Sequence, residues 1–241
     1  MKKTTSVLLF LTGLVLMAAS QARAQTSEAT KLFINVNAGV QPGSQTIDTS
    51  FSVPVYGQTA AAATSQVVSG DALFDISVGY RVRQNFGVSI GFSSLSTSGT
   101  VAGTASVPSP LFFNQFKSVD IGGASMNHTD RNIYLTFIWF VPVTNKIELA
   151  LSAGPTGTKV KQDLVTSVVV PAGTQNAIAT VESQAGTAKG VNVGFDASYL
   201  FTKYYGAGIF LRYNGGSVDL PSAASVKAGG FQMGIGARLR F

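Results

Sequence analysis

The sequence predicts an all-β chain: an eight-stranded antiparallel up-and-down transmembrane β-barrel with long extracellular loops. Three observations carry this. Eight segments alternate apolar and polar residues with period two, the mark of strands with two unlike faces. The connections between them are by turns short and long, as in bacterial transmembrane barrels with short periplasmic turns and long outer loops. Outward-facing aromatics gather at two levels one membrane thickness apart.

The first segment of the 241-residue chain is not a strand. Lys2 and Lys3 precede an apolar run from Val7 to Leu16, and Ala22-Arg23-Ala24 follows as a small-x-small site. This predicts a cleaved Sec signal peptide over 1–24 and a barrel domain over 25–241. The apolar run is too short to span a bilayer as a helix, and no later apolar run reaches about 18 residues. Removing Lys2, Lys3 and Arg23 lowers the formal charge from +6 to +3, which gives no argument for nucleic acid. Charged residues make up 12% of the chain, about half the usual share, which disfavours a water-facing sheet. Cys is absent, which excludes disulfides, thiol catalysis and a lipid-anchored cysteine. With one His, at position 128, most triads and metal sites lack their ligands, so no cofactor is expected.

The strands follow in order. Segment 31–40 sets Leu32, Ile34, Val36, Ala38 and Val40 against Asn35, Asn37 and Gly39. Segment 71–82 sets Phe74, Ile76, Val78, Tyr80 and Val82 against Asp75, Ser77, Gly79 and Arg81. Segment 86–94 sets Phe86, Val88, Ile90 and Phe92 against Gly87, Ser89, Gly91 and Ser93. Segment 131–141 is apolar on both faces, the cleaner being Ile133, Leu135, Phe137, Trp139 and Val141. Segment 146–154 sets Ile147, Leu149, Leu151 and Ala153 against Glu148 and Ser152. Segment 190–201 sets Val191, Val193, Phe195, Ala197, Tyr199 and Phe201 against Asn192, Asp196 and Ser198. Segment 204–214 sets Tyr205, Ala207, Ile209, Leu211 and Tyr213 against Arg212 and Asn214. The last, 231–241, sets Phe231, Met233, Ile235, Ala237, Leu239 and Phe241 against Gln232, Arg238 and Arg240.

The polar faces are Gly, Ser and Asn with scattered charges, which suits a narrow filled interior. A soluble sandwich would carry Lys and Glu there. Tyr80, Phe86, Trp139, Phe201, Tyr205 and Phe241 fall near the short-turn ends, while Phe74, Tyr213 and Phe231 lie one span away. Ten residues at ~3.3 Å, tilted by ~40°, rise roughly 25 Å, the height of a lipid-facing band. The long connections 41–70, 95–130, 155–189 and 215–228 carry few charges. Those over 46–68 and 159–183 alternate and predict hairpins turning near Gly57 and Pro171. Pro108 and Pro110 oppose a central strand in the second connection. Pro155-Thr156-Gly157 and Gly215-Gly216 read as turns or bulges.

The signal peptide, the eight alternating strands and the terminal GIGARLRF resemble the small outer-membrane barrel proteins of Gram-negative bacteria, the OmpA-barrel, OmpX and OmpW-like group, across the whole mature chain. The resemblance implies a monomer in the outer membrane, in contact with lipid and lipopolysaccharide. It also implies that Phe231, Met233, Ile235, Ala237, Leu239 and Phe241 form the signal read by the barrel assembly machinery. No cell-wall-binding domain is expected after the barrel.

Inward positions hold Asp75, Arg81, Glu148, Asp196, Arg212, Arg238 and Arg240. Charges in so narrow an interior must pair, so they form either a plug of ion pairs or the lining of a pore. Leu111, Phe112, Phe113 and Phe116 must bury against the barrel mouth, another loop, lipid or an extracellular partner. Arg131, Lys159, Lys161, Lys189 and Lys227 sit where lipopolysaccharide phosphates would lie. His128 is expected as a solvated loop residue, with a rim lipid-modifying enzyme resting on it alone. The function expected is non-enzymatic: an envelope-structural or surface-interaction role. The alternative is a narrow OmpW-like channel for small or apolar solutes, for which Phe33, Tyr134, Ile138, Phe140, Leu200 and Phe210 would line the lumen.

Overall fold

The computed structural model describes residues 31–55, 57–109, 111–169 and 176–241. The segment read as a signal peptide and the turn expected near Pro171 lie outside the described residues. The strands are β1 (Leu32–Val40), β2 (Ser44–Val55), β3 (Gln58–Ser69), β4 (Ala72–Arg83), β5 (Phe86–Pro108), β6 (Phe116–Pro142), β7 (Ile147–Val169), β8 (Asn176–Leu200), β9 (Tyr205–Leu220), β10 (Ala223–Ala228) and β11 (Phe231–Arg240).

Eight of them close a ring. The order is β1-β4-β5-β6-β7-β8-β9-β11, and β11 pairs back to β1 from Phe33↔Arg240 to Val40↔Met233. All eight pairings are antiparallel. Closure satisfies every ring strand on both edges, which hydrocarbon demands because it offers no water to the backbone. Phe241 extends the closure, exchanging backbone hydrogen bonds of 2.8 and 3.0 Å with Leu32.

Each of the eight predicted segments is a ring strand, and the predicted outward faces are the exposed ones: Ile90, Ile133, Phe137, Val191, Ile209 and Ile235 all face out. The strands run further than expected. Residues 95–108, 116–130, 155–169 and 176–189, expected as connections, continue the ladders of β5 to β8. Residues 44–69 form the hairpin β2–β3, which turns at Gly57 and pairs onto β5. Pro155-Thr156-Gly157 and Gly215-Gly216 are not turns; they lie inside β7 and β9. The β6–β7 ladder omits Leu135 and Thr136, near Pro155, which has no donor to give.

The extension has a physical signature. Along β7 the even-numbered residues face inward from Glu148 to Leu164, before a register shift at Val165–Ser167, but their chemistry changes. Near the short turns the outward Ile147, Leu149 and Leu151 are apolar. Beyond Thr158 the outward residues are Lys159 and Lys161, and the inward Val160 and Leu164 are fully buried. Strand β5 makes the same change between outward Phe92 and inward Leu95. Lipid surrounds the first part and water the second, so the apolar face moves from outside to inside. Above the lipid band the chain is therefore a crown with its own apolar core. One cluster holds Val101, Val119, Ile121, Met126 and Val165, and another Ile47, Val160, Leu164, Leu220 and Val226.

Within the band, large inward side chains sit over glycines of the adjacent strand. Phe33 is directly opposite Gly79, and Tyr134 directly opposite Gly91. A Cβ at either glycine would overlap the facing ring. This is why the inward face alternates large and absent side chains, as a lumen of eight strands requires.

The crown does not close as the band does. Strand β2 pairs only with β3, and β10 only with β9, among the described residues. Their free edges face each other above the β1–β11 closure.

Candidate functional site in the barrel lumen

The seven inward charges meet in two linked groups. In the first, the Asp75 carboxylate is completely buried and accepts three hydrogen bonds. They come from Tyr134 Oη at 2.5 Å, Arg212 Nη1 at 2.6 Å and Asn37 Nδ2 at 2.6 Å. Asn37 turns its oxygen to Arg238 Nη1 at 2.6 Å. Arg238 grips Asp196 with Nε and Nη2 at 3.2 and 2.5 Å, and Ser198 donates to the same carboxylate at 2.6 Å. In the second group, Glu148 lies between Arg81 at 2.5 Å and Arg240 at 3.5 Å, and Arg240 Nη1 donates to Asn35 at 3.0 Å.

The inward aromatics do not line an open bore. Phe33 packs edge-on against Phe140 with ring centroids 5.5 Å apart. Arg81 lies 3.9 Å over Phe140, Arg212 4.2 Å over Tyr134, and Arg240 5.4 Å over Phe33. Each of these three guanidiniums thus has a carboxylate within 3.5 Å and a ring nearby, two contacts that offset desolvation together. The cavity left between these groups has a volume of about 50 Å³, room for a few waters. Asn35, Asn37 and the hydroxyl of Tyr134 are members of this network that the sequence reading did not single out. For the two asparagines the signal was an amide on an inward position opposite a charge: Asn35 is directly across from Arg238 and Asn37 from Asp75.

The layers above are neutral. Asn132 joins Ser93 at 3.0 Å and Thr158 at 2.5 Å. Higher still is His128, which is not a solvated loop residue. It is buried in β6, facing inward, because the segment expected as a loop is strand. His128 Nδ1 is 2.6 Å from Gln162 Oε1, and Gln162 Nε2 donates to Gln66 of β3 at 2.7 Å. His128 Nε2 is 3.1 Å from Asp130 Oδ1, close enough for an ion pair but off the line of a hydrogen bond. This layer lies outside the lipid band, three positions beyond Arg131. Burial works against the charged imidazole, but the Asp130 carboxylate and the Gln162 carbonyl outweigh it and raise its pKa.

The remaining sequence candidates are at the surface. Phe231, Met233, Ile235, Ala237 and Leu239 share the outward face of β11, and Phe241 follows at its end. Leu111, Phe112, Phe113 and Phe116 form the tip of the β5–β6 hairpin and stay exposed; Leu111 is 83% and Phe113 78% exposed, and Phe112 and Phe116 are more than half exposed. The tip is ordered by Ser109, whose Oγ accepts from the amides of Leu111 and Phe112 at 3.3 Å. Asn114 N donates to Gln58 of the β2–β3 hairpin at 3.2 Å. Arg131 is directly across from Lys159, and Thr129 from Lys161, on the outer face just above the band. Lys189 and Lys227 flank Ser217 in the neighbouring ladder.

No protein-family model matches the chain, and no curated protein matches it. Solved structures do resemble it. Neisserial surface protein A is 14% identical with a TM-score of 0.48, covering 88% of this chain and 99% of its own. The outer membrane protein OprG from Pseudomonas aeruginosa is 11% identical with a TM-score of 0.48, covering 88% and 96%. The outer membrane protease OmpT from Escherichia coli is 9% identical with a TM-score of 0.44, covering 91% and 99%. The barrel fold rests on the ring closure itself.

Two outcomes follow from this geometry. Asp75→Ala strips Arg212 of its carboxylate, and the folded barrel loses about 3–5 kcal/mol, measured by urea unfolding in lipid vesicles. The single imidazole of the chain titrates above its ordinary 6.5 in proton NMR, and Asp130→Asn brings it down. Because the folded pKa is raised, this contribution to stability is complete below about 6.5 and is lost as the pH rises through the folded value.

Proposed function

We propose that this chain, after loss of residues 1–24, is a bacterial outer-membrane barrel of non-enzymatic function, acting through its crown in surface interaction. The single observation that carries the reading is the hairpin tip Leu111, Phe112, Phe113 and Phe116, held by backbone and side-chain hydrogen bonds yet left bare. Strand β5 runs from Phe86 to Pro108. About 13 of those residues lie beyond the band, and at ~3.3 Å each, tilted ~40°, they lift the tip roughly 30 Å from the lipid. An apolar tip so far from the membrane points to a partner rather than to lipid. The Arg131–Lys159–Lys161 patch, at the level of outer-leaflet head groups, fits lipopolysaccharide phosphates. The outward row from Phe231 to Phe241 is assigned to recognition by the assembly machinery, and the barrel is read as a monomer.

A second reading, a narrow channel, is favoured by a side cavity between β2 and β10 and opposed by the packed ion pairs below it. In planar bilayers the purified barrel is expected to give no steady conductance. Regular single-channel steps would establish the channel instead. For the first reading, replacing Leu111, Phe112, Phe113 and Phe116 together by Ser is expected to reduce attachment of bacteria carrying the protein to the level of cells without it. Heat-modifiable migration of the variant should be unchanged, and full attachment by the folded variant would remove the tip from the interaction.

A further inference from the structure

The free edges of β2 and β10 enclose a cavity of about 780 Å³ above the β1–β11 closure. Its size is that of a small-molecule site. Its floor is one continuous hydrogen-bond chain. Asn214 Nδ2 donates to Gln232 Oε1 at 3.0 Å, and Gln232 Nε2 donates to Gln41 Oε1 at 3.0 Å. Gln41 Nε2 donates to the Gly229 carbonyl at 3.3 Å, and Gly229 N donates to Asp130 Oδ2 at 3.2 Å. Asn214 Oδ1 is left buried without a hydrogen bond, and Asp130 Oδ1 has only the His128 imidazole, 3.1 Å away and off the hydrogen-bond line. Both residues line the cavity and are about 1% exposed. An unpaired buried acceptor costs about 1–3 kcal/mol unless a donor reaches it.

The walls say which donor. Asp130 is paired with His128, and Asp48 and Lys227 are exposed at the rim, one of each sign, so neither a strong cation nor a strong anion is selected. Much of the rest is backbone at strand edges and glycines, offering both N–H and C=O. Apolar lining is confined to a few side chains, and the ring of Tyr213 stands at the outer lip. We infer that the seam between β2 and β10 is a binding site for a neutral polyhydroxylated ligand of mono- to disaccharide size, whose hydroxyls donate to Asn214 and Asp130. Hydroxyl groups both donate and accept, which matches a wall of mixed backbone groups. Sugars of lipopolysaccharide and free glycans share this chemistry.

The test uses the purified full barrel in detergent micelles, so it stands apart from the surface-interaction reading, which can fail or hold independently. Maltose, lactose and diacetylchitobiose are titrated in one arm, and core oligosaccharide released from lipopolysaccharide in the other. The His128 imidazole signal, at the cavity floor, reports occupancy. At least one probe is expected to shift that signal saturably. Asn214→Leu, which removes the unpaired acceptor, should weaken binding at least tenfold. Ser44→Trp, which blocks the cavity from its exposed rim without touching the floor, should do the same if Asn214→Leu does not fold. Tighter binding of the core oligosaccharide assigns the membrane-borne source, and tighter binding of a free disaccharide the extracellular one. Silence of His128 with every probe, or binding unchanged in the folded variants, overturns the site.

Discussion

Hydrocarbon cannot hydrogen-bond to a peptide group, and the rest of this barrel depends on that constraint. It forces the eight long strands to close on one another, β11 onto β1. Closure then sends every second side chain into a lumen with little room for bulk water. Polar residues cannot be placed outward, so the charges that remain must find each other inside. Asp75, Asp196 and Glu148 receive four arginines between them, and Asn37 bridges the first two carboxylate groups by giving to Asp75 and accepting from Arg238. The aromatic rings over the guanidiniums and the bare glycines beneath the rings are further answers to the same confinement.

The constraint ends where the lipid ends. The ladders keep their parity through that level and shift register only higher up, between Ser125 and Gly122 on β6 and between Val165 and Ser167 on β7, but the apolar residues change faces. Outward Ile147 and Leu151 give way to inward Val160 and Leu164 on β7. A backbone in water tolerates an open edge, so above the band the sheet can afford the gap between β2 and β10 that the band itself cannot. The same change of solvent explains why the charge network lies within the band and the larger apolar clusters lie above it, where the His128–Gln162–Gln66 layer is buried as well.

This change also accounts for what was legible in the sequence. The eight ring strands were, because lipid makes the outward face uniformly apolar and period two survives in a single chain. The crown strands were not, because the outward apolar signal stops at Arg131. Met126, His128, Asp130 and Asn132 share inward parity with Tyr134 and Thr136, so continuing the parity through the change of chemistry would have placed His128 inside. The inward positions of the seven charges were legible for the same reason as the strands. Their partners were not: whether Arg238 meets Asp196 or Glu148 depends on how far the strands are staggered around the ring, which no local pattern encodes. The tip residues Leu111 and Phe113 were legible as apolar side chains without an obvious burial site, and the structure leaves them in that condition.

The place of the seam follows from chain order. In this ring three neighbouring pairs are joined by short turns at the lower end, four are joined at the upper end by connections that can extend their ladders, and β1 and β11 are joined at neither. Strands β5 and β6, and β7 and β8, do so for ten residues or more beyond the band. Only the pair β1 and β11 holds the two ends of the ring, so nothing connects them above Val40 and Met233. Their upward continuations leave sideways instead, β2 toward β3 and β10 toward β9. A gap in the crown is therefore a consequence of closure, and it must open directly over the closing pair. What this chain adds is the floor: Gln41, Gln232, Asn214 and Asp130 are held by one another at the base of the gap, with the Asn214 Oδ1 acceptor to spare. A gap left only by topology would need apolar residues or paired groups beneath it to be stable. A spare buried acceptor calls for a donor, from water or from a ligand, and a ligand seated there would also tie together the two edges that the fold leaves apart.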